Sequence, residues 1–132
     1  MTFGEKVKEL RVKAHLTQKE VAERIGVSTR AYQCWEQQNA QPKKRSVLLK
    51  LAELFSVSID MLMSDEELFI LDAAEKYGYR GKQQGQKLLN DMQAYLAGGD
   101  LNDEDRDEFL QSFMRMFFKT KEIAKTKYGR QK

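Results

Sequence analysis

One proline, one cysteine and one histidine in 132 residues set the first limits on what this chain can be. A lone cysteine, Cys34, permits no intrachain disulfide, and with only His15 beside it the chain cannot supply a structural zinc site. No apolar run approaches the roughly 18 residues of a bilayer-spanning helix. The opening MTFGEKVKEL lacks the basic, apolar and small-residue segments of a secretory signal, so the expected compartment is the cytoplasm. Strand-like alternation is missing throughout. So are a Ser/His/Asp set, a glycine-rich phosphate loop after a strand, and a cluster of metal ligands. Neither catalysis nor a cofactor is expected.

What remains is rich in charge and in helix punctuation. A hydrophobic content of 41% against 33% charged residues fits one or two small globular units. The net charge of +3 is unevenly spread: residues 1–63 hold 11 basic and 7 acidic side chains, residues 64–132 hold 12 and 13. A basic excess on a small module fits a polyanionic partner, and an ordinary surface about as well. Ser or Thr precedes Glu by three positions at Thr2/Glu5, Thr17/Glu20 and Ser64/Glu67, the capping-box pattern, and Ser28, Ser58 and Asn102 are further N-cap candidates. These signals predict helices at 3–14, 18–25, 28–37, 45–55 and 59–63, then at 65–77, 82–97 and 103–127. Pro42 falls in the connection after the third. The expected fold class is all-α, a five-helix domain over 1–63 followed by a three-helix region over 64–132.

The stretch QKEVAERIGVSTRAYQCWE, residues 18–36, reads as two short helices folded about Gly26. Glycine enters the left-handed region without a Cβ clash, which permits a very short turn. Val21, Ala22 and Ile25 give the first helix an apolar side. Val27, Ala31 and Trp35, at spacing four, give the second a buried stripe. Thr29, Arg30, Gln33, Cys34 and Gln37 are left on the opposite, polar face. A short helix held rigidly with such a face outward fits a DNA major groove, where Arg and Gln read base edges.

At these residues the chain resembles the helix-turn-helix of Cro and phage-repressor type, the xenobiotic-response-element regulators. The matching pattern is LTQKEVAERIGVS, then WE, then Pro42, then LLKLAELFSVSIDMLM, over roughly residues 3–63. The resemblance implies that the helix at 28–37 is the recognition helix, with Thr29, Arg30, Gln33 and Cys34 facing bases of double-stranded DNA. It implies backbone contacts from Gln18, Ser28 and Gln37, and from Lys43, Lys44 and Arg45 in the following loop. It also implies that Glu36 pairs with Arg11 rather than acting as a general base. The chain departs from the family's pattern after WE, where glycine is common and this sequence has Gln38 and Asn39, so Asn39 is the candidate left-handed residue there. Trp35, at the end of an apolar stripe, reads as core rather than as a stacking platform, and Cys34 as a small neutral side chain rather than a redox switch.

The second half carries helix faces without a chemical motif. Gly78 reads as a helix end and Gly81 as part of a loop. The last fourteen residues, with Lys119, Lys121, Lys125, Lys127, Arg130 and Lys132, read as a solvated helix end. Phe109, Phe113, Met116 and Phe117 form an apolar face broader than two small neighbouring helices need. This face is the expected homodimer interface. Helix 103–127 begins acidic and ends basic, which favours antiparallel packing of two copies. The expected function is a sequence-specific transcriptional regulator, a homodimeric repressor on an inverted-repeat operator. An antitoxin-like regulator with a protein partner at residues 64–132, or a sensor holding a small effector there, are the alternatives.

Overall fold

The computed structural model describes residues 1–128; Arg130 and Lys132 of the basic tail lie outside them. The described residues form seven helices and no strand: α1 (Phe3–Lys13), α2 (Gln18–Ile25), α3 (Thr29–Gln37), α4 (Arg45–Leu54), α5 (Ile59–Leu62), α6 (Asp65–Leu96) and α7 (Asp103–Tyr128). They divide into two compact units, Met1–Glu75 and Lys76–Lys132. None of the described helices is long and apolar enough to cross a membrane.

The N-terminal ends follow the sequence signals closely. Thr17 and Glu20 form a complete capping box on α2, with Thr17 Oγ1 accepting from the Glu20 amide at 3.1 Å and Glu20 Oε1 accepting from the Thr17 amide at 3.0 Å. Ser64 and Glu67 do the same for α6 at 3.2 and 3.1 Å. Ser28 caps α3 by accepting from the Ala31 amide at 3.0 Å, whereas Ser58 makes no side-chain cap on α5. Each pairing satisfies helix N–H groups that would otherwise lack a partner.

The C-terminal ends share a device visible as a left-handed residue followed by an apolar one. His15, Gly26 and Ser56 have φ of 58°, 76° and 55°. The next residue in each case, Leu16, Val27 and Val57, bonds back to Arg11, Ala22 and Ala52 at 3.2, 3.0 and 3.0 Å and packs against the core. This is the Schellman closure with its hydrophobic contact.

The first unit's core is built on α1, α2, α3 and α4 through Val7, Val21, Ile25, Tyr32, Leu48 and Leu51, each at most 1% exposed. Trp35 makes edge-on contacts with Phe3 and Tyr32, at ring separations of 6.1 and 5.5 Å. Leu68 and Leu71 join the same cluster, so the start of α6 packs with the first unit, which extends to Glu75.

In the second unit, Lys76–Leu96 and α7 form an antiparallel hairpin. Arg106 donates to the Leu96 carbonyl at 3.1 Å across its closed end, and Asn102 caps α7 by accepting from the Asp105 amide at 2.8 Å. The helical path breaks at Gly78 alone, with φ 72° and ψ −161°, a conformation open to glycine and strained for other residues. Gly81, expected in a loop, is instead helical and buried, as is Gly85.

Candidate nucleic-acid interface

The α2–α3 pair is fixed by one turn and one polar network. Gly26 turns the chain in the left-handed conformation, and Ala22, fully buried, offers no side-chain bulk at the end of α2. Ser28 then starts α3 without a spacer. On α3 the residue carried into the core is Tyr32, 0% exposed, with Trp35 beside it; Ala31, expected in the buried stripe, is only half-buried. Val27 packs against the core as expected, but from the turn before the helix.

At the far end of α3, Glu36 gathers three elements. Arg11 of α1 donates to it twice, Nε to Oε2 at 2.7 Å and Nη2 to Oε1 at 3.1 Å, and Gln18 at the start of α2 donates to Oε1 at 3.0 Å. Arg11 also donates to the Leu16 carbonyl at 3.0 Å, closing the α1–α2 turn. The Glu36 side chain is 2% exposed and that of Arg11 15%. Burial alone would raise the Glu36 carboxyl, but the hydrogen bonds from Arg11 and Gln18, with the Tyr32 hydroxyl nearby, outweigh it and hold the group below the usual carboxylate range. The hydrogen bond to Glu36 likewise raises Arg11. Tyr32 is driven far above the ordinary phenol range, first by burial and then by the Glu36 carboxylate beside it. As a buried salt bridge, the pair adds modestly to stability when complete, and loss of either partner strands a buried charge.

With its inner side occupied, α3 shows outward the residues expected to face DNA. Arg30 and Gln37 are exposed, while Thr29, Gln33 and Cys34 are half-buried along the same side. Spacings of three and four residues put all five on one surface. Asn39 has φ 57°, so it takes the left-handed position after α3, and the Gln38 and Ala40 amides both bond back to the Cys34 carbonyl at 2.9 and 3.2 Å.

The loop that follows is tied down at both ends by α6. Gln41 donates to Glu67 at 2.5 Å, Arg45 Nη1 to Asp72 at 2.8 Å, and the Arg45 amide to Glu75 at 3.2 Å. Lys43 and Lys44 are exposed between these anchors, and Lys44 opens α4 without a side-chain cap. Of the six expected backbone-contact residues, Gln18 and Arg45 are thus engaged with carboxylates of the chain itself, and Ser28 spends its acceptor on the α3 cap. Gln37, Lys43 and Lys44 stand outward. The signals that sequence reading missed here are the acidic anchors Asp72 and Glu75.

On α7 the four residues expected at a dimer interface are not equivalent. Phe109 and Met116 are 38% and 57% exposed. Phe113 and Phe117 are half-buried, and Phe117 meets the Tyr77 ring at 6.4 Å inside the hairpin. Ile123, not singled out from the sequence, is 50% exposed.

Residues 4–68 match the family model described as a helix-turn-helix domain. The chain is 41% identical to the HTH-type transcriptional activator BcrR of Enterococcus faecalis over 75 residues, 57% of this chain and 36% of that protein. It is 42% identical to the cryptic phage CTXphi transcriptional repressor RstR of Vibrio cholerae over 65 residues, 49% of this chain and 58% of that one. Similarity to the uncharacterized HTH-type transcriptional regulator YqaE of Bacillus subtilis, 28% over 117 residues, spans 86% of this chain and 88% of that protein, and so continues past the helix-turn-helix into the second unit. The chain thus aligns with less than two thirds of BcrR and of RstR and with most of YqaE. No solved structure matches. Residues 4–68, just under half of the chain, thus form a helix-turn-helix domain similar to those of these transcriptional regulators.

Proposed function

We propose that the protein is a sequence-specific transcriptional regulator that binds double-stranded DNA in the cytoplasm as a homodimeric repressor on an inverted-repeat operator. The observation that carries this reading is the α3 surface of Thr29, Arg30, Gln33, Cys34 and Gln37, held outward by the Gly26 turn and the Arg11–Glu36–Gln18 network. Rigid presentation matters because base-edge hydrogen bonds need side chains placed before contact. In this reading Arg30 contacts guanine and Gln33 adenine, the pairings that groove geometry favours. Ser28 keeps its own hydroxyl proton for a phosphate, and Lys43 and Lys44 track the backbone, while Arg45 anchors their loop through Asp72. Among the relatives RstR is named a repressor and BcrR an activator; repression is proposed on the likeness to RstR.

Selection of bound sites from random DNA tests the reading. The expected outcome is an inverted repeat whose half-sites lie about one helical turn, roughly 10 base pairs, apart. A pool that gains no common sequence would remove the claim of base reading, and an enriched single half-site would remove the claim of a dimeric operator complex.

A further inference from the structure

The α7 helix carries two apolar stripes, and one of them is only partly covered by its own hairpin, at Phe109. Leu110 and Met114 are buried, 7% and 6% exposed, and Phe117 turns toward Tyr77. On another side of the same helix, Phe109, Met116 and Ile123 recur every seven residues and are 38%, 57% and 50% exposed. Side chains seven residues apart lie close to one line along an α-helix, so these three give a facing helix an apolar strip to pack against. Beside Met116 opens a groove of ≈ 380 Å³ lined by Leu88, Phe113, Phe117 and Ala124, with Thr120 and Lys121 at its polar edge.

Charge along the helix says which way a second copy would lie. Asp103, Glu104, Asp105, Asp107 and Glu108 open α7, and Lys119, Lys125 and Lys127 close it, while Lys121 is turned to Gln84 of its own hairpin. A second α7 laid parallel would set the acidic ends together and the basic ends together. Laid antiparallel, each acidic end meets a basic one, and juxtaposed like charges are what partner surfaces avoid.

We infer that two copies of the chain pair through antiparallel α7 helices, with the two-fold axis at Met116. This inference rests on the homodimer reading above and specifies its interface. The register follows from the symmetry. Met116 of one copy faces Met116 of the other, Phe109 faces Ile123 of the second copy, and Asp105 faces Lys127 of the second copy. The interface is isologous, so the same three apolar residues serve both sides. Relative to the face expected from sequence, Ile123 enters and the half-buried Phe113 and Phe117 leave.

Single-cysteine cross-linking of the full chain reads this register. Cys34→Ser removes the one native thiol, after which Met116→Cys, Phe109→Cys and Ile123→Cys are each introduced alone. Under mild oxidation, Met116→Cys should form a disulfide-linked dimer, because its two copies meet at the axis within the Cβ separation of about 4 Å that a disulfide needs. Ile123→Cys should not link to itself, since fourteen residues along an α-helix separate the two copies by about 21 Å. A mixture of Phe109→Cys and Ile123→Cys chains should give the mixed dimer. Sedimentation of the unaltered chain at micromolar concentration should show a dimer, and Met116→Lys, which sets two ammonium groups at the axis, should raise its dissociation constant about a hundredfold with helical content unchanged. A dimer in which Met116→Cys fails to link, Ile123→Cys links to itself, or Met116→Lys changes nothing overturns the seam and leaves the homodimer reading standing. A monomer overturns both.

Discussion

Gly4 lies in the first turn of α1, where helix propensity and packing demand opposite outcomes. Alanine in place of glycine within a helix favours folding by about 1 kcal/mol, because the unfolded chain loses freedom and the helix gains a good former. At this position, however, a Cβ would fall far inside van der Waals contact of the Trp35 carbonyl oxygen and 3.2 Å from the Glu36 Cα. The obstructing atoms are backbone of α3, which no rotamer change can move. Overpacking of this kind costs about 1–3 kcal/mol, and a backbone obstacle argues for the upper end. Set against the propensity gain, Gly4→Ala should destabilise by about 2 kcal/mol, lowering the thermal midpoint by about 8–16 °C on the scale of a domain this size. Thermal unfolding followed by circular dichroism measures it, with Gly98→Ala as the control, since a Cβ there meets nothing within 4 Å. A Gly4→Ala protein as stable as the parent would show that α1 and α3 do not approach as described.

Glu36→Gln should destabilise by about 3 kcal/mol, the lower end for breaking a buried pair, since Arg11 keeps some solvent contact. Because the folded-state Glu36 carboxyl is held low, its contribution is complete above its unfolded value of about 4.3 and is lost as pH falls through the folded value. Urea midpoints should therefore drop less steeply below pH 4 in Glu36→Gln than in the parent, and parallel profiles would count against the network. Lys43→Gln with Lys44→Gln should lower the slope of log affinity against log salt by about two while leaving sequence preference intact. Arg45→Gln should lower it less, because Asp72 already offsets that charge; an equal or larger drop would place Arg45 on phosphate.

Helix starts were legible because their signals are local. Thr17 and Ser64, with glutamate three residues on, begin α2 and α6 where the capping-box pattern puts them. The end of α2 was equally plain in Gly26, and Asn39 took the left-handed position for which no glycine was present. Tyr32 was harder to place. Its hydroxyl reads as polar in a periodicity count, yet the ring fills the core and the buried face of α3 turns to include it. Gly81 misled for the opposite reason, since a glycine in a helix interior looks like a breaker until the chain packs around it. The anchoring of the 38–44 loop depends on Gln41–Glu67 and Arg45–Asp72, pairs separated by 26 and 27 residues, which spacing rules do not reach. On α7 the sequence showed abundant apolar side chains, but only the folded hairpin separates Leu110 and Met114, turned inward, from Phe109, Met116 and Ile123 outside.

The central claim, that α3 reads base edges through its outward face, comes to a single comparison: binding of the parent and of Arg30→Ala to the selected operator and to random competitor DNA at one salt concentration. Arg30 is exposed and stands apart from the core, so its removal should leave folding intact. Loss of its base contact should cost about 1–3 kcal/mol on the selected site, with affinity for random DNA changed far less and preference relaxed at one position of each half-site. Unchanged discrimination between operator and competitor in Arg30→Ala would contradict the assignment of α3 as the reading helix.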